Sequence, residues 1–202
     1  MKNIKFILYV ISFLIISLLS GIAFAYFAGG TIHERSSIGQ SKSFEADQSL
    51  IWAALLDIES YPLWKPNLKT IEMLGTNEKG YTKWREFYPY GKSVTYEITE
   101  YIPKSLIEMR IVEAKNSAEG VWIYKLSNYQ DRGVLQIKRF AIIKSHIDRF
   151  IRRWIDTKYN EVDYLLMSLN VYLDQLIEDQ EEILEIMVPD SVENTEKPLT
   201  ES

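Results

Sequence analysis

Residues 146–186 read HIDRFIRRWIDTKYNEVDYLLMSLNVYLDQLIEDQEEILEI, and this stretch decides the fold that the rest of the chain can adopt. Apolar side chains recur at steps of one, three and four, the spacing of a single stripe on an α-helix. Ser145 and Asp148 form a capping-box pattern at its start. The predicted stripe consists of Ile147, Phe150, Ile151, Trp154, Ile155, Tyr159, Val162, Leu165, Leu166, Leu169, Tyr172, Leu173, Leu176 and Ile177. A helix this long cannot bury its stripe alone, so we expect a sheet or other helices against it; a coiled coil is the alternative.

The chain before this helix supplies a sheet. A short strand pattern at 41–46 precedes a helix that starts near Asp47 and a second helical turn at 59–63. Strand-like runs separated by turn residues then follow at 68–74, 81–88, 93–102, 105–112, 119–127 and 134–143. Consecutive strands joined by short turns form an antiparallel meander. The order of elements therefore predicts an α+β fold in which one curved antiparallel sheet wraps around one long C-terminal helix.

The first thirty residues predict a membrane segment. Lys2 and Lys5 precede an uncharged run from residue 6 to about residue 30, long enough to cross a hydrocarbon layer of about 30 Å. This length favours a retained transmembrane helix, although AFA at 23–25 is typical of a signal-peptidase site, so a cleaved signal peptide is the alternative. A short basic head normally stays in the cytoplasm. We therefore predict a single-pass membrane protein with its domain on the extracytoplasmic side.

Several stretches of the domain resemble the START-like, helix-grip superfamily, which includes pollen-allergen-like proteins and polyketide cyclase/dehydrase-like (SRPBCC) domains. They are FEAD at 44–47, IW at 51–52, LD at 56–57, YP at 61–62, WKP at 64–66, a G-x-x-x-W-x-E strand at 80–86, VTYEITEYIP at 94–103 and GVWIY at 120–124. The resemblance spans residues 41 to about 177. Its motifs are structural rather than catalytic, so they argue for fold more strongly than for activity. Residues 128–133 are more polar than the turn usual in the family, and the helix runs beyond the family's usual end.

Composition completes the predicted organisation. We expect a transmembrane anchor or signal peptide at 1–30, a linker at 31–40, a START-like domain at 41–187 and an acidic disordered tail at 188–202. The net charge of -5 argues against nucleic acid as a partner, and the absence of cysteine excludes disulfides and thiol chemistry.

The resemblance implies a cavity between sheet and helix that holds a lipid or another hydrophobic molecule, open near residues 60–66. The candidate ligand-binding wall residues are Trp64, Trp84, Glu86, Tyr88, Tyr96, Trp122, Tyr124, Arg139 and Trp154. Strand alternation places Trp84, Glu86 and Tyr88 on one face. If that face is concave, Glu86 needs a partner, for which Arg110 and Arg139 are the candidates; the alternative is that Glu86 faces solvent. Plain core packing is the alternative role of the aromatic residues.

The sequence contains no recognisable catalytic constellation, metal-binding motif or cofactor-binding motif. We therefore expect a membrane-anchored domain that binds or carries a hydrophobic molecule, with no catalytic residues, metal or cofactor. The alternatives are an interaction module with a filled cavity and a polyketide cyclase/dehydratase-like enzyme; no protein partner is indicated. The basic cluster Lys144, Arg149, Arg152 and Arg153 is interpreted as a solvated helix face, and contact with anionic lipid headgroups is the alternative.

Overall fold

The computed structural model describes residues 2–115, 119–130, 132–154 and 161–187. Its helices are α1 (Lys2–Gly30), α2 (Gln48–Leu56), α3 (Tyr61–Trp64), α4 (His146–Trp154) and α5 (Glu161–Met187). Its strands are β1 (Arg35–Ser43), β2 (Thr70–Thr76), β3 (Thr82–Phe87), β4 (Ser93–Ile102), β5 (Leu106–Lys115), β6 (Glu119–Tyr129) and β7 (Arg132–Ile142). Single 3-10 turns occur at Ile58–Ser60 and Pro89–Gly91.

The strands form one antiparallel sheet in the order β1-β7-β6-β5-β4-β3-β2. Strands β2 to β7 are neighbours in chain order, and β1 closes the far edge by pairing with β7, with Arg35 opposite Ile142 and Ser43 opposite Val134. Strand β7 then leads to α4, and α5 follows. The predicted α+β helix-grip fold is therefore confirmed.

Helix α5 packs against the inner face of the curved sheet. Its buried side chains are Val162, Leu165, Leu166, Leu169 and Leu173, which recur at steps of three, one, three and four. They belong to the same apolar core as the inward-facing residues of the sheet. The periodic pattern of this half of the predicted stripe therefore packs as expected.

Helix α2 packs over the end of the sheet in close contact with Gly133. Asp47 caps it by accepting a hydrogen bond from the Leu50 amide at 2.7 Å. A Cβ atom on Gly133, at the start of β7, would lie 2.2 Å from Ile51 Cδ1 and 3.1 Å from the Ala46 carbonyl oxygen. Gly133 pairs with Asn128 near the ends of β7 and β6, and α2 packs against this glycine.

The first half of the predicted stripe packs differently from the expectation. The described part of this half is α4, and residues 155–160, with Ile155 and Tyr159 of the predicted stripe, lie outside the described residues. The apolar side of α4 packs against α1, where Phe24 and Phe150 meet edge to face with ring centroids 5.9 Å apart. Trp154 is 66% exposed, so its prediction as a residue of the buried stripe is wrong. Periodicity reveals an apolar face but not the element that covers it.

The exposed position of Trp154 predicts that its truncation has little effect on the free energy of unfolding. Because the side chain is exposed, Trp154→Ala should change the free energy of unfolding in detergent by less than about 0.5 kcal/mol, as exposed substitutions generally do. Arg153→Ala, at the neighbouring exposed position of α4, should give a similar value. Chemical denaturation of the two variants measures both, and a loss of several kcal/mol for Trp154→Ala alone would contradict the exposed position.

The amino-terminal boundary of the sheet domain also differs from the prediction. Strand β1 starts at Arg35, so six of the ten residues predicted as a linker, 31–40, are strand, and only residues 31–34 separate α1 from the sheet. The sequence RSSIGQSKS has few β-branched residues, which is why its strand character is weak. Residues 4–30 form a helix long and apolar enough to cross a membrane. The predicted tail at 188–202 lies outside the described residues.

Candidate functional site: a cavity between sheet and helix

A cavity of about 920 Å³ lies between the inner face of the sheet and the start of α5. Its lining combines the inner positions of β4 to β7, the turns after α3 and β3, and residues of α4 and α5. The lining residues are Lys65, Pro66, Asn67, Tyr88, Pro89, Tyr90, Lys92, Val94, Tyr96, Met109, Ile111, Trp122, Tyr124, Arg139, Arg152, Glu161, Tyr164 and Leu165.

Strand register explains how the deep part of this lining is assembled. Met109 on β5 lies opposite Trp122 on β6, and Trp122 lies opposite Arg139 on β7. Tyr96 on β4 lies opposite Ile111 on β5. Because alternate residues of a strand share a face, these two neighbouring cross-strand rows present large side chains to the cavity.

Arg139 is the buried cation of the cavity. It is 5% exposed, and its Nη1 lies 2.5 Å from Glu161 Oε2, at the start of α5. Its guanidinium carbon lies 5.2 Å from the Trp122 ring centre, within cation–π range. Within the part of the chain that the structure describes, Arg139 Nε and Trp122 Nε1 have no hydrogen-bond partner. Arg139 therefore joins the sheet to α5 and leaves donor capacity next to the cavity.

A second buried cluster surrounds Glu86 on β3, directly behind the cavity lining. Glu86 is fully buried and accepts hydrogen bonds from Lys65 Nζ at 2.5 Å, Trp84 Nε1 at 3.0 Å and the Tyr88 hydroxyl at 2.5 Å. The Lys65 ammonium group also lies 4.7 Å from the Tyr61 ring centre. The carboxylate thus has the compensation that a buried charge requires.

The predicted partners of Glu86 were wrong, because Arg110 pairs with Glu97 at 2.6 Å and Arg139 pairs with Glu161. Alternation correctly placed Glu86 on the face of Trp84 and Tyr88, so the alternative that it faces solvent is also wrong. The actual partner, Lys65, follows α3 and is 21 positions away in sequence. Strand alternation gives the face of a residue but cannot show which loop folds over it.

Tyrosine hydroxyls around the cavity remain protonated. Burial, and next the nearby Glu86 carboxylate, raise the pKa of Tyr88 and of Tyr96 above the ordinary value. Burial is also the main cause of the raised pKa of Tyr61 and of Tyr124. These groups therefore serve as neutral hydrogen-bonding groups rather than as bases.

The structure distributes the predicted wall residues over three environments. Tyr88, Tyr96, Trp122, Tyr124 and Arg139 line the cavity. Trp64, Trp84 and Glu86 are buried but do not line it: Trp64 stacks on Tyr172 at 6.5 Å, and Trp84 stacks on Tyr96 at 5.5 Å. Trp154 lies outside the lining, because α4 turns its apolar side to α1.

Sequence reasoning did not identify most of the cavity mouth. Lys65 and Pro66 belong to the stretch where an opening was expected, but Lys92, Arg152, Glu161 and Tyr164 were not among the candidates. Two mouth residues, Asn67 and Tyr90, have left-handed backbone conformations with φ of 59° and 61°. Alternation along β4 and β5 was a signal that could have found Val94, Met109 and Ile111. Among the described residues, no group of three or more His, Asp or Glu side chains could hold a metal ion.

Residues 35–159, more than half of the chain, match the family model described as polyketide cyclase / dehydrase and lipid transport. The chain belongs to this family. Membership and the cavity together support a fold that binds hydrophobic ligands. No curated protein matches the sequence.

Solved structures of other proteins share this fold. The ZhuI aromatase/cyclase from Streptomyces sp. R1128 is 13% identical with a TM-score of 0.60, over 71% of this chain and 96% of that one. A START superfamily protein from Mycobacterium smegmatis is 15% identical with a TM-score of 0.57, over 69% and 98%. A protein from Thermus thermophilus is 11% identical with a TM-score of 0.59, over 70% and 99%. At these identities the likeness shows the fold alone.

Proposed function

We propose that the chain is a membrane-anchored domain that binds an amphiphilic lipid or similar hydrophobic molecule in the cavity. The observation that carries the proposal is the cavity itself. At about 920 Å³ it falls near the upper end of the range of about 300–1,000 Å³ typical of ligand pockets. Its deep part is built from apolar and aromatic side chains, among them Val94, Met109, Ile111 and Trp122, which suit an acyl chain or a ring system.

Charges in the described lining favour a ligand with an acidic end. Four cations line the cavity, namely Lys65, Lys92, Arg139 and Arg152, against one carboxylate, that of Glu161. Glu86 lies behind the lining and balances Lys65. Since Glu161 balances Arg139, Lys92 and Arg152 form the excess that would attract an anionic headgroup at the mouth.

Filling the cavity should abolish binding. Ile111, 8% exposed, lines the cavity from β5, and the next residue, Val112, is 38% exposed on the other face of the same strand. Ile111→Trp should therefore exclude the ligand, whereas Val112→Trp should not, because the added volume lies outside. The measurements are mass spectrometry of an organic extract of the purified full-length protein and binding of a fluorescent long-chain fatty acid. Equal binding by both variants, or no bound lipid in the parent protein, would contradict the proposal.

The preference for a ligand with an acidic end can be tested by comparing the fluorescent fatty acid with its methyl ester. A hydrogen bond to a charged group contributes about 1.5–3 kcal/mol, so the acid should bind at least about tenfold more tightly than the ester. Arg152→Met should reduce this preference while retaining ester binding. An unchanged preference in that variant would show that the mouth does not select for charge at Arg152.

Anchoring is proposed from α1, whose apolar segment Ile4–Gly30 has 27 residues. The full-length protein should remain in membranes after an alkaline carbonate wash, and its domain should be digested by protease added to the extracytoplasmic side of spheroplasts. Amino-terminal sequencing provides the control for processing. A soluble product beginning at Tyr26 would replace the anchor by a cleaved signal peptide, and protection of the domain would reverse the proposed orientation.

A further inference from the structure

The length of α1 sets the height at which α4 meets the proposed membrane. The 27 residues of its apolar segment extend about 40 Å at about 1.5 Å per residue, but the hydrocarbon layer is only about 30 Å thick. Lys5 marks one boundary, because its charge belongs at the interface. About twenty residues further along, the second boundary falls near Ala25, with Phe24, Tyr26 and Phe27 as the aromatic residues typical of an interface.

Helix α4 starts beside α1 at that boundary and packs along α1 on its inner side. Phe150 meets Phe24 with ring centroids 5.9 Å apart, and His146 lies 4.6 Å from Tyr26 between ring centroids. A Cβ atom on Gly29 would lie 1.8 Å from the His146 carbonyl oxygen, so the two backbones are in direct contact. Only Gly or a backbone shift is compatible with this approach. The position of α4 beside the end of α1 is therefore specific.

The two faces of α4 differ in chemistry. Ile147, Phe150, Ile151 and Trp154 occupy positions i, i+3, i+4 and i+7, one side of the helix. Of these, Ile147, Ile151 and Trp154 are 37%, 39% and 66% exposed. An apolar groove continues from this side along α1, lined in part by Leu14, Leu18 and Ile22. The apolar side of α4 is thus continuous with the apolar surface of the proposed transmembrane helix.

The other side of α4 faces the domain and its cavity. Arg149 is buried and pairs with Glu34 at 3.2 Å, immediately before β1. Arg152 lines the cavity. Arg153 lies on the exposed surface beside Trp154, with its guanidinium carbon 6.0 Å from the ring centre. A helix with an arginine-rich side and an apolar side that includes tryptophan fits a membrane interface.

We propose that α4 is an interfacial helix of the bilayer that α1 crosses, with its apolar side among the acyl chains and Arg152 and Arg153 at anionic headgroups. The inference rests on the proposed anchor. It places Arg152, and with it the mouth of the cavity, at headgroup level. A ligand with an acidic headgroup can then pass between the leaflet and the cavity without its acyl chain crossing water.

Trp154 provides a selective probe of this arrangement. The other four tryptophans, Trp52, Trp64, Trp84 and Trp122, are at most 7% exposed. The full-length protein is reconstituted in nanodiscs of phosphatidylcholine and phosphatidylglycerol, with and without bromine on the acyl chains. Brominated lipid should quench the Trp154 emission, and Trp154→Phe should remove this part of the quenching. Quenching that persists in the variant reports brominated lipid beside Trp122 in the cavity. Iodide in the aqueous phase should quench little.

Three results would overturn or reassign the inference. Iodide quenching without quenching by brominated lipid would place Trp154 in water and contradict an interfacial α4. Protection from both quenchers would show that a second protein copy, not lipid, covers the helix. Failure of the protein to copurify with nanodiscs would contradict the anchor itself, whereas binding of the fatty-acid probe reports on the cavity separately.

Two variants with the same change of charge test whether Arg153 interacts with anionic headgroups. Arg153→Glu should reduce quenching by brominated lipid in discs that contain phosphatidylglycerol, because it repels the anionic surface. Lys125→Glu makes the same change of charge at an exposed position of β6 and should have no effect. Equal quenching in the two variants would show that anionic headgroups do not contribute to the position of α4.

Discussion

Lys65→Met is expected to lower the free energy of unfolding by about 3–5 kcal/mol, the usual cost of removing one partner of a buried ion pair. Glu86 is fully buried, and Lys65 is the cation in contact with it at 2.5 Å. Methionine retains most of the apolar stem of lysine, so little of the loss should come from packing. Chemical denaturation at neutral pH gives the value directly.

The double variant Lys65→Met/Glu86→Gln separates charge from packing. Its neutral amide retains an acceptor for Trp84 Nε1 and removes the uncompensated charge, so most of the lost stability should return. Arg132→Met is the surface control, because Arg132 and Glu45 form an exposed pair whose loss should cost no more than about 1 kcal/mol. If the double variant were as unstable as the single one, the ion pair would not be the cause.

Alkaline pH is expected to unfold the domain over a narrow range. Burial raises the pKa of Tyr61, Tyr88, Tyr96 and Tyr124 above the ordinary value of 10.0. Their contribution to stability is therefore complete below about pH 10 and is lost above it, because only the unfolded chain can release these protons. At about 1.4 kcal/mol per tyrosine, the loss near pH 11 is about 6 kcal/mol for the four, comparable with the whole stability of many domains.

Stability measured by denaturant at a series of pH values tests this expectation. Tyr124→Phe removes one of the four ionisable groups, so the loss of stability with pH should be about one quarter less steep in that variant. Ionisation of the tyrosines without loss of the folded signal would contradict their protected position.

The sheet, the grip of α5 and the inner row of aromatic residues could be predicted from the sequence because they depend on local periodicity. Alternation along β3 places Glu86 beside Trp84 and Tyr88, and the step pattern from Val162 to Leu173 gives the buried side of α5. Each of these inferences needs only the geometry of one element and the presence of a core.

The errors arise where the structure depends on contacts between segments that are distant in sequence. Lys65 reaches Glu86 from a loop, and α4 packs on α1 across more than a hundred residues of sequence. Trp154 has the same spacing relative to its neighbours whether the partner is the sheet or α1, so the pattern alone could not decide. The first strand is predicted at 41–46, but β1 starts at Arg35. The sequence RSSIGQSKS forms a strand because it pairs with β7, not because of its own β propensity.

The short connection between α1 and β1 limits where the domain can act. Only residues 31–34 separate the two elements, and four extended residues span at most about 14 Å. The Ile143 amide also donates a hydrogen bond to the Glu34 carbonyl oxygen at 2.8 Å, which ties this connection to the end of β7. If α1 is anchored in a bilayer as proposed, the domain cannot cross to a second membrane with a bound ligand. Its loading rate should therefore follow the surface density of lipid in its own leaflet, and any onward delivery requires an acceptor that comes to it.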